Sequence, residues 1–119
     1  MIKSFKDLTV WQKAIDLSVL VYRVSEGFPR SEIYGLVSQM RRACVGIASN
    51  IAEGQSRGHK LEYIQFLRIA YGSASELQTQ TIISLKIGYL KQKDFDQIDS
   101  LLGEILRMLN KLISVLSET

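Results

Sequence analysis

Cysteine, histidine and proline are nearly missing from this chain, each occurring once, as Cys44, His59 and Pro29. A lone cysteine excludes an intramolecular disulfide, a thiolate zinc cage and a Cys-x-x-Cys redox pair, so a reducing, cytoplasmic setting is expected. Groups suited to nucleophile or base work near neutral pH reduce to Cys44 and His59, and the sequence offers neither an orienting partner. The chain is therefore expected not to be an enzyme. Glu-x-x-His pairs, which a di-metal helical bundle requires, are absent, and no glycine precedes a Lys-Ser/Thr pair as in a phosphate loop. No metal and no cofactor is expected.

Long apolar runs are missing as well. The uncharged stretch Leu17–Tyr22 is far too short to span a bilayer, and the amino end, MIKSFKDLTVWQK, places lysines and an aspartate where a signal peptide would be apolar. The expectation is a protein neither secreted nor membrane-spanning. Aromatic and basic residues do not alternate as in single-strand RNA modules.

What is present favours helix throughout. The length of 119 residues and an apolar content of 46% suffice for one core, so residues 1–119 are read as a single domain. No stretch shows a sustained period of two. Apolar spacing of three and four predicts four helices, over about Leu8–Ser25, Arg30–Glu53, His59 or Lys60 to Lys86, and from Asp94 onward. Gly27 with Pro29, Gly54 and Gly88 are read as stops, and Asp94-x-x-Gln97 as a capping box. Short connectors make consecutive helices antiparallel. The predicted fold class is an all-α, antiparallel up-down-up-down four-helix bundle.

The inward faces are read as Ile33, Leu36, Val37, Met40, Cys44, Ile47 and Ile51 on the second helix and Ile64, Leu67, Tyr71, Ala74, Leu77 and Leu85 on the third. Phe95, Ile98, Leu102, Ile105, Leu109, Leu112 and Leu116 form a heptad seam on the last. The first helix is different. Its apolar residues, among them Trp11, Ile15, Val19 and Tyr22, spread over about 220° of the circumference, more than one core can hide. Stripes of small, polar and apolar residues also face outward, Ser38, Arg42, Gly46, Ser49 and Glu53 on the second helix and Gln65, Ile69, Gly72, Glu76 and Ile83 on the third. Copies of the chain are expected to shield one another.

The net charge of +3 is unevenly placed: nine Lys or Arg against five Asp or Glu in residues 1–60, and six against seven thereafter. Arg41, Arg42, Arg57 and Arg68 have two readings. They pair with Glu53, Glu62 or Glu76 within or between subunits. Alternatively an oligomer gathers them with Lys13, His59 and Lys60 into a repeated basic surface that meets phosphates. Arg41 and Arg57 are the better phosphate candidates, because Arg42 has Glu53 on its own face.

Several motifs act together: Phe5-x-x-Leu8-x-Val10-Trp11-Gln12-Lys13-Ala14, Phe28-Pro29, Gly35-Leu36-x-x-Gln39-x-Arg41-Arg42-Ala43, Asn50-Ile51-Ala52-Glu53-Gly54-x-x-Arg57 and Phe66-Leu67-x-x-Ala70-x-Gly72-Ser73-x-x-Glu76-Leu77. Over about residues 5–90 the chain resembles the four-helix-bundle proteins encoded in intervening sequences of bacterial 23S rRNA genes. It is similar also to the accessory variability determinant of diversity-generating retroelements, a basic pentamer that works with nucleic acid. The resemblance implies a bacterial, cytoplasmic homopentamer with RNA as a partner. It also carries over Trp11, Arg41, Arg42, Asn50, Glu53, Gly54, Arg57, Gly72, Ser73 and Glu76 as motif or interface positions. Gly46 departs from the family, which commonly has serine there. The function expected is a homo-oligomer that binds RNA weakly through a repeated basic surface. The alternative is a self-assembling scaffold with a protein partner and no nucleic-acid role.

Overall fold

A computed structural model of the chain describes residues 4–118. Four helices carry the fold: α1 (Thr9–Ser25), α2 (Leu36–Ser56), α3 (Lys60–Lys86) and α4 (Gln92–Ser117). A short 3-10 turn, Phe5–Asp7, precedes α1, and another, Arg30–Glu32, precedes α2. Each helix packs on its chain neighbours and α1 closes on α4, while neither α1 and α3 nor α2 and α4 approach each other closely. That cyclic order is a square bundle, 46 × 22 × 20 Å. Consecutive helices are antiparallel: Arg41, early in α2, bonds Tyr22 and Ser25 at the end of α1, and Ser84, late in α3, lies 3.6 Å from the sulfur of Met40. The expected fold class is observed.

The core is aliphatic. Leu17, Met40, Ile47, Ile51, Leu67, Leu77, Ile98, Leu102, Ile105 and Leu109 are all fully buried. Cys44 joins them, its thiol donating to the carbonyl of Arg41 at 3.2 Å. Burial pushes the Cys44 thiol above its ordinary range, outweighing the lowering effect of its hydrogen bonds and of Arg41. The unfolded thiol then ionises first as pH rises, so the unfolded state holds fewer protons and stability falls above the ordinary thiol value of about 8.5. The urea midpoint should be flat from neutral pH to that value and decline beyond it, and Cys44→Ala should remove that part of the decline.

Five local readings need correction. The second helix begins six residues later than expected. Residues 30–32 form the 3-10 turn, and the Glu32 carboxylate accepts from the Leu36 amide at 3.2 Å, starting α2 there. Ile33, expected inward, is consequently half exposed. Gly54 does not stop α2. It lies buried inside the helix, which runs on to Ser56, because α3 crosses so closely that a β-carbon at Gly54 would stand 2.7 Å from the Phe66 Cβ. Asp94 is not a cap. The Gln92 amide donates to Asp96 at 2.9 Å, α4 begins at Gln92, and Asp94 falls in its first turn, where a carboxylate suits the helix dipole.

The fourth correction concerns the heptad seam. Along α4 the fully sheltered line runs Ile98, Leu102, Ile105, Leu109 and then Ile113, with Phe95, Leu112 and Leu116 only partly buried. A straight helix drifts about 20° per heptad against a 3.5-residue repeat, and by the third heptad this drift has carried Ile113 inward. Tyr71, read as core, is likewise exposed on α3. Gly88 does end α3 as expected, at φ 86°, with the Gly88 amide donating to Leu85 and the Tyr89 amide to Ser84.

Candidate self-association surface and basic end

Two helical faces meet beside α1. Ile15, Val19 and Tyr22 lie at spacings of four and three, so they share a stripe next to α2, and all three stay exposed. From α2, Arg41 lies across that stripe. Its guanidinium stacks on the Tyr22 ring at 4.6 Å, and it donates to Ser25 Oγ at 2.9 Å and to the Tyr22 carbonyl at 3.2 Å. Arg41 therefore pins α2 to α1, which explains its presence beside the apolar face without invoking a ligand. Arg41, Tyr22, Ile33, Tyr34 and Val45 line an open groove of about 550 Å³. Tyr34 is 96% exposed, an aromatic ring almost wholly in water.

Arg42 separates this groove from a second, polar slot of about 370 Å³ between α2 and α3, lined also by Gln39, Ala43, Ser73 and Glu76. Small residues keep α2 and α3 close beside the slot: a β-carbon at Gly46, which lines the first groove, would stand 3.4 Å from the Ser73 hydroxyl. Glu53, eleven residues along α2 and so about 16 Å away along its axis, is out of reach of Arg42. Glu53 pairs instead with Arg57 at 3.6 Å, and Arg57 also reaches Glu62 at 3.4 Å and stacks on Phe66 at 5.1 Å. Glu53 therefore gives no reason to rank Arg42 below the other two arginines. Arg41 and Arg57 are engaged, and Arg42 has no ion-pair partner among the described residues.

The remaining candidates are dispersed. Lys13 pairs with Glu104 at 2.7 Å, tying α1 to α4 and holding the Glu104 carboxyl below its ordinary range. His59 and Lys60 are exposed where α3 begins, two and three residues after Arg57, so basic side chains gather at the α2–α3 connector beside Glu53 and Glu62. Arg68 stands alone on α3 beside Tyr71 and Asn110. One protomer gathers no continuous basic patch from these residues.

Motif positions divide in the same way. Trp11 packs edge-on against Phe5 at 5.3 Å, and Asn50 donates to the Gly46 carbonyl at 2.7 Å, both within the fold. Gly54 permits the α2–α3 crossing, whereas Gly72 has open space around it and Glu76 lines the slot. Sequence reasoning missed Val45 and Gln39. Val45 follows Arg41 by one helical turn, a spacing that would have placed it on this surface.

Residues 6–111 match the family described as 23S rRNA-intervening sequence protein. The chain belongs to that family. The crystal structure of a protein of unknown function from the S23 ribosomal protein family of Bacteroides thetaiotaomicron has the same fold, with a TM-score of 0.80 at 20% identity over 88% of this chain and 98% of that one. No curated protein is significantly similar in sequence. The bundle seen in this intervening-sequence protein is therefore shared with that structure at low identity. None of its helices is long and apolar enough to cross a membrane, among the described residues.

Proposed function

We propose that this intervening-sequence protein is a non-enzymatic, self-associating bundle, pentameric as the family resemblance implies, whose assembly repeats the basic α2–α3 end to hold RNA phosphates. The observation that carries self-association is the apolar surface a single bundle leaves open: Ile15, Val19, Tyr22, Tyr34 and Val45 on one side, with Leu61, Ile69 and Ile83 on α3. Exposed apolar side chains gathered as they are around the α1–α2 groove mark an interaction site. His59 and Lys60, with Arg57 half exposed and held only by long surface pairs to Glu53 and Glu62 that a phosphate can displace, support the RNA reading. Each copy places them together at one end, so a ring multiplies a weak contact into a useful one by avidity. The net charge of +3 agrees with modest affinity. A non-enzymatic role is supported by a Cys44 thiol that is buried with its ionisation suppressed, and by a His59 remote from it on an exposed helix start.

Light scattering on the purified protein, with its 260/280 nm absorbance ratio, tests both parts. The expected mass is a multiple of 13.5 kDa. Ribosomal RNA fragments titrated at rising salt should bind with a log-log slope of about -0.7 per phosphate neutralised, and Arg57→Glu with Lys60→Glu should abolish binding. A folded monomer defeats the self-association reading. An oligomer that ignores RNA even at low salt leaves the scaffold reading in place and ends the RNA one.

A further inference from the structure

The polar slot between α2 and α3 gathers opposite charges that do not meet. Arg42 and Glu76 both line it, yet no hydrogen bond or ion pair holds either side chain among the described residues. The two helices offer unlike chemistry. From α2 come the Arg42 guanidinium, which only donates, and the Gln39 amide; from α3 come the Glu76 carboxylate, which only accepts, and the Ser73 hydroxyl. One turn beyond Glu76 on the same side of α3, Gln80 is 8% exposed and its Oε1 has no hydrogen-bond partner among the described residues. The α3 wall is thus short of donors. The slot measures about 370 Å³, within the range of about 300–1,000 Å³ found for small-ligand sites.

These features narrow the occupant. A bare phosphate suits Arg42 but is repelled by Glu76, a cation meets the reverse, and an apolar side chain would strand both charges. A fitting group turns neighbouring donors toward α3 and neighbouring acceptors toward α2. Among the RNA bases guanine does this: its N1–H and N2 amine lie side by side and match the two oxygens of a carboxylate, while its O6 and N7 match the fork of a guanidinium. Adenine, cytosine and uracil set no two donor nitrogens side by side. Resting on the RNA reading and deepening it, we infer that the slot holds one guanine base of a single-stranded RNA, its N1 and N2 donors on Glu76 and its O6 and N7 acceptors on Arg42. The base has to be unpaired, because Glu76 takes its Watson–Crick edge, and the loops and ends of RNA are where such edges are free. The phosphates remain with the basic α2–α3 end, so the slot adds a base preference to a contact that is otherwise indifferent to sequence.

Fluorescence anisotropy at low salt tests this with labelled oligouridylates of one length whose central residue is uridine, guanosine, inosine or 7-deazaguanosine. Guanosine should bind more tightly than uridine by about tenfold or more, the discrimination that a good two-bond contact to a base supplies. Inosine lacks the N2 amine that Glu76 accepts from, and 7-deazaguanosine lacks the N7 that Arg42 donates to, so each should lose most of that gain. Glu76→Gln, an exposed substitution whose helicity circular dichroism can confirm, should bring the guanosine and uridine oligonucleotides to the same affinity. Equal affinity for guanosine and uridine on the unaltered chain would overturn the inference while leaving RNA binding in place. A guanosine preference that survives in Glu76→Gln, or that ignores both altered bases, would overturn the assignment to this slot. Failure of every oligonucleotide to bind would instead overturn the RNA reading beneath it, and the guanine subsite with it.

Discussion

Gly54→Ala should destabilise the bundle by about 1–3 kcal/mol, although alanine is the better helix former by about 1 kcal/mol. The added β-carbon would stand 2.7 Å from the Phe66 Cβ, 3.1 Å from the Tyr63 ring and 3.3 Å from the Tyr63 carbonyl. A β-carbon and a carbonyl oxygen are tied to the α3 backbone, so α2 and α3 have to separate to admit the methyl group, and the packing around Ile51 and Leu67 opens with them. The matched comparison is Gly72→Ala. Gly72 is helical, exposed and without a neighbour within 4 Å, so the same substitution there should stabilise an isolated bundle by about 0.5–1 kcal/mol. Urea denaturation of both variants at one protein concentration checks the pair. Equal effects would refute the close-crossing argument.

Leu102→Ala should cost about 2–5 kcal/mol. Leu102 is fully buried midway along the sheltered line of α4, between Ile98 and Ile105, and a rod only about 20 Å thick has little slack with which to collapse onto the cavity. At about 3–6 °C per kcal/mol for a domain of this size, the melting temperature should fall by about 6–30 °C. Ile83→Ala, at an exposed position, should change the stability of a dissociated chain by no more than about 0.5 kcal/mol. Thermal melts followed by circular dichroism separate the two, and a melting point for Leu102→Ala within a degree or two of the unaltered chain would sink the assignment of Leu102 to the core.

How far the candidate surface was legible in the sequence depended on whether a residue's neighbour lay on its own helix. Ile15, Val19 and Tyr22 repeat at helical spacing with more apolar residues than one face can use, and the same excess on α3 pointed to Ile69 and Ile83. The arginines were legible as a group but not individually. Arg41 next to Arg42, and Glu53 on the same wheel face as Arg42, suggested that Arg42 was engaged and Arg41 available. Tyr22 and Ser25, the residues that capture Arg41, belong to another helix, and a wheel projection discards the 16 Å or so of axial distance that keeps Glu53 from Arg42.

Four helices, the antiparallel order, the aliphatic core and the surplus of apolar circumference were determined by the sequence alone, since each follows from periodicity and from connectors too short for any other path. Family membership was written there too, in motifs such as Asn50–Gly54 and Gly72–Leu77. Only the tertiary structure decided that α2 starts at Leu36 on a Glu32 carboxylate, and that Gly54 is a crossing point within a helix. It also decided that Ile113 takes over the end of the α4 seam and that Arg42 and Glu76 share a slot. The physical reason is common to these: each depends on the distance between atoms of different turns or different helices, and a linear pattern of residue types carries direction around a helix but no distance between helices.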